Sequence, residues 1–236
     1  MNGAMHGHGS HTNAINGNLA KMEGITSFGN KSLPHFSGVA VQESPAKKLL
    51  QCGNLTGNAR RVRDLAADLY NLIQEWNAQH LLGVQILNII TSMKLPVLIE
   101  GGAEGSSQIY PEGLQEQCEQ LNEVVQTMNE IVGQLRAVTQ QMYSVGKLEK
   151  LQNINKTPLF LTWSSDRYGQ VSEEVYEAYA LELRAKNRVK NNIAHCSTKA
   201  AIMYHVATWV HQPYIDTNVD LLVESLLHET GHRCYH

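Results

Sequence analysis

The sequence predicts an all-α protein: an elongated helical bundle with long coiled-coil-like helices and a shorter C-terminal helical pair, preceded by a disordered tail. Three observations carry this. Apolar residues recur at steps of three and four over most of the chain after residue 57, the period of an amphipathic helix. No stretch alternates as a half-buried strand would. Residues 1–56 are rich in Gly, Asn, Ser and His and poor in large apolar groups, so they bury too little surface to offset their ordering entropy. The predicted organisation is a tail over 1–56 and one helical domain over 57–236.

The first helix runs from about residue 57 to Met93, through Val62, Leu65, Leu69, Leu72, Ile73, Trp76, Leu87 and Ile90, with Pro96 just beyond it as a stop. A Gly/Ser/Pro-rich loop over 100–111 follows. In the second helix Leu114, Cys118, Leu121, Val125, Met128, Val132 and Leu135 step 4,3,4,3,4,3. The seam then drifts through Val138, Met142, Val145 and Leu148. Sustained a/d spacing of this kind calls for partner helices. Pro158 breaks the pattern within 153–168, where the apolar Leu159, Phe160, Leu161 and Trp163 are expected to fold back as a plug.

A third helix is predicted over 170–194. It carries Arg184, Lys186, Arg188 and Lys190 as a positive side near its C-terminus, where the helix dipole favours cations. A shorter helix covers 198–211 and ends before Pro213. Thr217 with Asp220 resembles a cap for a last helix over 218–230, and Gly231 fits the position just past its end.

Composition narrows the function classes. Nineteen Lys and Arg against 22 Asp and Glu give a net charge of −3, which does not favour a phosphate-contacting nucleic-acid binder. The basic clusters Lys47-Lys48 and Arg60-Arg61-Val62-Arg63 are short and read as solvated charge. Cys52, Cys118, Cys196 and Cys234 are far apart and form no C-x-x-C pair. With no apolar leader and no run near the roughly 18 apolar residues that span a bilayer, free thiols in a reducing compartment are expected. His6, His8 and His11 read as part of the low-complexity tail. Ser44-Pro45-Ala46-Lys47 has the form favoured by cyclin-dependent kinases, so Ser44 is a candidate phosphorylation site.

The most conspicuous catalytic spelling is H-E-x-x-H at 228–232, which zinc proteases place on one helix face. Three features oppose that reading. The third ligand is missing, Gly231 interrupts the motif as a helix terminator, and His228 and His232 face away from the apolar stripe Val219, Leu222, Val223 and Leu226. There is no G-x-S-x-G, P-loop or G-x-G-x-x-G. His195 and Cys196 are adjacent and so do not face each other on a helix. His205 and His211 bracket Trp209 as packed or capping residues. A non-enzymatic chain without metal or cofactor is expected.

Three stretches carry a family resemblance: AADLYNLIQEW at 66–76, TPLFLTW at 157–163 and WVHQPYIDTNVDLLVESLLHETGHR at 209–233. Together they resemble the cyclin-dependent kinase 2-interacting protein family, with the order of helices also matching. In that family E-T-G-H-R is the recurrent part, matching Glu229 to Arg233, and the position of His228 is typically aliphatic. The resemblance implies a non-catalytic helical adaptor. Its implied partners are a small helical AAA-ATPase-interacting ribosome maturation factor and AAA+ ATPases related to valosin-containing protein. Roles in large ribosomal subunit maturation and DNA replication, links to cyclin-dependent and origin-firing kinases and to checkpoint signalling, and residence in nucleus and cytoplasm are implied as well. Neither a direct nucleic-acid contact nor a membrane is implied.

The residues expected to touch partners are those of the two motifs: Trp163, Trp209, His211, Gln212, Pro213 and Tyr214, then Glu229, Thr230, Gly231, His232 and Arg233. Large aromatic and rigid groups anchor interfaces, although Trp163 and Trp209 also suit a core. Glu229 to Arg233 are read as a polar docking edge at the surface.

Overall fold

A computed structural model describes residues 55–100, 110–153 and 157–233; Ser44 and nearly all of the predicted tail lie outside them. Among the described residues the chain is all-α, with helices α1 (Gly57–Glu100), α2 (Leu114–Gln152), α3 (Ser165–Asn192), α4 (Lys199–His211) and α5 (Thr217–Glu229). One 3₁₀ turn, Ile193–His195, follows α3. At 44 residues, α1 is about 65 Å long.

The heptad seam of α2 is covered from within the chain. Leu114, Leu121, Val125, Met128, Val132 and Leu135 are buried, and Cys118 is half-buried. Val124, Ile131, Val138, Met142 and Val145 are buried too. That wide stripe is what a helix needs when it packs on two neighbours rather than one. The neighbours are α1, through Val62, Leu65, Leu69 and Ile73, and α3, through Val171, Val175, Tyr179 and Leu183. The partner helices that the a/d spacing calls for are therefore supplied by the chain itself: its three long helices close on each other.

Small residues set the α2–α3 approach. A Cβ on Gly146 would stand 2.5 Å from the Ser165 carbonyl oxygen, and one on Gly169 would stand 2.6 Å from the Tyr143 ring. Farther along the same pair, buried Thr139 donates to Ser172 O at 3.1 Å as well as to its own helix.

Pro96 does not stop α1. The helix continues to Glu100 with the proline inside, although a mid-helix proline costs about 3 kcal/mol. Packing supplies the offset. Leu95 and Leu98 press on the core, and buried Lys94 donates to the Ala194 carbonyl while its ammonium lies 5.6 Å from the Tyr110 ring centre. Tyr110 in turn shares a hydrogen bond with His195 Nδ1 at 3.1 Å. Burial pushes the Lys94 ammonium below its ordinary range, partly opposed by the nearby thiols of Cys196 and Cys118, both of which are free.

α1 is also long and apolar enough to cross a membrane by length and composition, with an 18-residue window of mean hydropathy 1.6, contrary to the expectation that no stretch comes near. Its inner face packs in the core described above. Its outer face is another matter. At 100° per residue, Leu81, Leu82, Gln85, Asn88, Ile89, Ser92, Pro96 and Ile99 share one side, and all are exposed. The only Lys, Arg, Asp or Glu from Asn77 to Ile99 is Lys94, which is buried.

The other ends are set locally. α3 begins at Ser165, five residues before the predicted start, because the plug residues lead directly into it. Thr198 caps α4 by accepting from Ala201 N at 3.2 Å. Asp216, not Thr217, caps α5, accepting from Val219 N at 3.1 Å.

Candidate functional site

The two motifs form two clasps, each built from parts remote in sequence. The first ties the α4–α5 turn to α1 and α3. Trp209 is fully buried at the end of α4, and it fits because residue 83 has no side chain. A Cβ there would stand 2.6 Å from Trp209 Cε2 and closer still to Cζ2. The indole N–H donates to His80 O at 3.1 Å. Lys186 lies 4.5 Å over the indole and donates to Trp209 O at 2.5 Å. The same ammonium sits 3.3 Å from Glu182 Oε1 and 3.2 Å from His80 Nδ1.

Glu182 uses its second oxygen to accept from Tyr214 N at 3.1 Å. Trp76 closes the clasp by donating to Gln212 Oε1 at 2.9 Å. Gln212 ends α4 at φ 44°, the single positive-φ residue other than glycine among those described. This is a strained conformation that the hydrogen bond from Trp76 holds in place.

Electrostatics match this burial. His80 is lowered to about 4, first by burial and then by the Lys186 charge. Lys186 is lowered to about 8 by burial, against the pull of Glu182. Burial raises Glu182 while Lys186 and the Tyr214 amide oppose the rise. Such a set is a buried ion pair, in which Glu182 Oε1 has the Lys186 charge but no hydrogen bond of its own, and it is expensive to break from one side.

The second clasp joins the chain's last motif to the plug. Glu229 is 4% exposed. Its Oε1 accepts from the successive amides of Leu161 (2.9 Å), Thr162 (2.8 Å) and Trp163 (2.9 Å), and its Oε2 accepts from Thr162 Oγ1 at 3.1 Å. Buried Tyr168 donates to the same carboxylate at 3.3 Å; burial, then the Glu229 charge, raise its phenol above the ordinary range. Leu159, Phe160 and Trp163 thereby lie against the core, with Trp163 held between the Tyr168 ring and the Arg167 guanidinium.

Behind Glu229 the helix closes in a Schellman turn. His232 N donates to Leu227 O at 2.8 Å and Gly231 N to His228 O at 3.1 Å, with Gly231 at φ 76°. Buried Thr230 donates to Leu226 O at 2.8 Å. His232 Nε2 lies 2.8 Å from Arg63 O, and Arg233 stacks 5.4 Å over the Tyr70 ring and meets Glu224 at 3.3 Å.

These positions correct two expectations. Glu229 and Thr230 are not a surface docking edge: both are buried in their own chain, Glu229 on the plug amides and Thr230 on the last turn of α5, while Trp209 takes the core place that its type also suited. Lys186 is no part of a solvated positive side, because its alkyl stem turns inward to a pair four residues back. Of the other named residues, His211, Pro213, Tyr214, His232 and Arg233 are exposed, while Trp163, Gln212 and Gly231 are half-buried. The Glu182–Lys186 i,i+4 spacing was the signal for this pair; nothing local pointed to Gly83 or to His80.

H-E-x-x-H acquires no catalytic-helix geometry. His232 lies beyond the helix end after a left-handed Gly231, so the i,i+4 register is broken, and Glu229 spends its carboxylate on the plug. Among the described residues no group of three or more His, Cys, Asp or Glu could hold a metal ion.

No family model matches the chain. The Bos taurus protein named cyclin-dependent kinase 2-interacting protein is 30% identical over 195 residues, 76% of this chain and 92% of its own length. The chain belongs to the cyclin-dependent kinase 2-interacting protein family. Relatives of the same name from Mus musculus, 29% identical over 83% of this chain and 96% of theirs, and from Homo sapiens, 29% identical over 76% and 92%, agree. The family relatives are named as interacting proteins rather than enzymes.

Proposed function

We propose that the chain is a non-catalytic interaction module that binds a cyclin-dependent kinase and acts as a scaffold in cell-cycle control. The shared name of its relatives carries this reading. Structure adds support of a general kind. Glu229, Gln212 and the Trp209 indole hold helices and plug together, which suits a rigid surface-presenting frame better than a reaction centre. The test is capture of recombinant cyclin-dependent kinase 2–cyclin by the purified full chain. Saturable binding at micromolar concentrations or below supports the reading; absence of binding at 0.1 mM kinase (about a hundredfold above that range) sinks it.

A second reading rests on the outer face of α1. Its uncharged residues from Leu81 to Ile99, with Leu81, Leu82, Ile89 and Ile99 exposed among polar neighbours, have the character of a helix-packing surface. It supports an adaptor that pairs with a small helical protein, the AAA-ATPase-interacting ribosome maturation factor, and docks on a AAA+ ATPase in large ribosomal subunit maturation and DNA replication. Work in both nucleus and cytoplasm belongs to this proposal. Leu82→Lys with Ile89→Lys should abolish co-purification of such a partner and leave the fold intact; unchanged co-purification removes this face from the account.

A further inference from the structure

We propose that Thr157 is a phosphorylation site for a proline-directed Ser/Thr kinase, and that its phosphate releases the first turn of α1 from the end of α2. Of the six prolines, only Pro45 and Pro158 follow a Ser or Thr. Thr157 and Pro158 are both exposed and lie in irregular chain between α2 and α3. Proline offers no N–H and restricts the residue before it to extended conformations. An extended, exposed acceptor followed by a residue with no N–H is what a proline-directed site accepts.

The reaction needs a kinase and Mg-ATP. Thr157 Oγ attacks the γ-phosphorus, the new O–P bond forms as the bond to the β,γ-bridging oxygen breaks, ADP leaves with that electron pair, and the hydroxyl proton passes to the kinase's base.

The consequence follows from what Thr157 touches. Its hydroxyl donates to Asn153 Oδ1 at 3.4 Å, and Asn153 Nδ2 lies 3.3 Å from that hydroxyl and 2.7 Å from Thr157 O. The same Nδ2 donates to Glu149 Oε1 at 3.1 Å. The other Glu149 oxygen accepts from Asn58 at 2.7 Å, and Asn58 also reaches Gln152 at 3.0 Å. One asparagine therefore links Thr157 to the carboxylate that holds the first turn of α1.

A phosphate has no proton to give Asn153, competes for its amide, and brings roughly 1.5 to 2 negative charges beside Glu149. Lys150 lines the same recess and now pairs with Asp166. It is the cation a phosphate would draw away, at the cost of the α2–α3 tie. The Glu229 clasp begins at Leu161, beyond the modified residue, so the plug stays seated while the α1 start is freed.

This deepens the kinase reading, because being a substrate is distinct from being a stable partner. The full chain carrying Ser44→Ala is incubated with a cyclin-dependent kinase–cyclin complex and Mg-ATP, then fragmented in a mass spectrometer. One phosphate on Thr157 is expected, lost in Thr157→Ala and slowed on the order of tenfold or more in Pro158→Ala. Hydrogen exchange of the amides of residues 61–64, which bond the carbonyls of the first turn of α1, should accelerate after modification, with Leu161 to Trp163 unchanged. An unmodified Thr157, equal rates in Pro158→Ala, or unaltered exchange in α1 each overturns the proposal. Kinase capture is measured on the same samples: capture without phosphate on Thr157 overturns this inference and leaves binding standing, and phosphate without capture does the reverse.

Discussion

Glu229 accepts both the backbone N–H and the side-chain hydroxyl of Thr162, 67 residues earlier in the chain. Two motifs that look independent in the sequence are thus one structural unit. Replacing Glu229 with Gln removes the charge and half of the accepting capacity while the three plug amides still converge on that one site. A loss of about 3 kcal/mol is expected, measured by chemical denaturation, with greater protease cutting in 157–163. Wild-type stability in Glu229→Gln would show the clasp to be ornamental.

Gly83 makes room for an indole. Gly83→Ala places a methyl inside the Trp209 ring contact, and overpacking of this kind costs about 3 kcal/mol. Combining it with Trp209→Leu should recover part of the loss, so the two changes are non-additive. Strict additivity in a double-mutant cycle would contradict the packing described.

The Lys186 pair has a sign that depends on how it is removed. Lys186→Ala leaves Glu182 charged and the Trp209 carbonyl unpaired, at a cost of about 3–5 kcal/mol. Lys186→Met together with Glu182→Gln should restore most of it. If the double variant is no more stable than the single, the two groups are not coupled.

Acid should weaken the fold through His80. Its folded value, near 4, lies below the unfolded 6.5. Between those limits the unfolded chain takes a proton that the folded chain refuses. The stabilisation is whole above pH 6.5 and fades as pH falls toward 4. The expected loss is about 1–2 kcal/mol, since a half-buried ring is partly screened by solvent. A His80→Gln variant should flatten the pH profile of denaturation midpoints across that window; an unchanged slope would assign the effect elsewhere.

Periodicity made the helices legible, and residue type explains where the reading stopped. The step of three and four located α2 and the core side of α1 because burial enforces it. The same rule could not show that α2 has two neighbours in its own chain, since a seam looks alike whichever helix covers it. Pro96 was overruled by tertiary packing through Lys94, Leu95 and Leu98. At the candidate site the glycine end of α5 was readable from Gly231, because only a residue free to adopt φ 76° closes a Schellman turn. The burial of Glu229 was not. A carboxylate reads as surface until the amides it satisfies are known, and Leu161 to Trp163 reach it only in the folded chain.

The placement of Glu229 also fixes how the molecule resists being drawn out from its C-terminal side. Tension entering at Arg233 first loads α1, through Tyr70 and through His232 on Arg63, and four residues on it meets a carboxylate fastened to the plug ahead of α3. Unravelling from that side cannot proceed one turn at a time; several bonds across three segments must yield together, so the rate is set by a single large opening step rather than by gradual fraying.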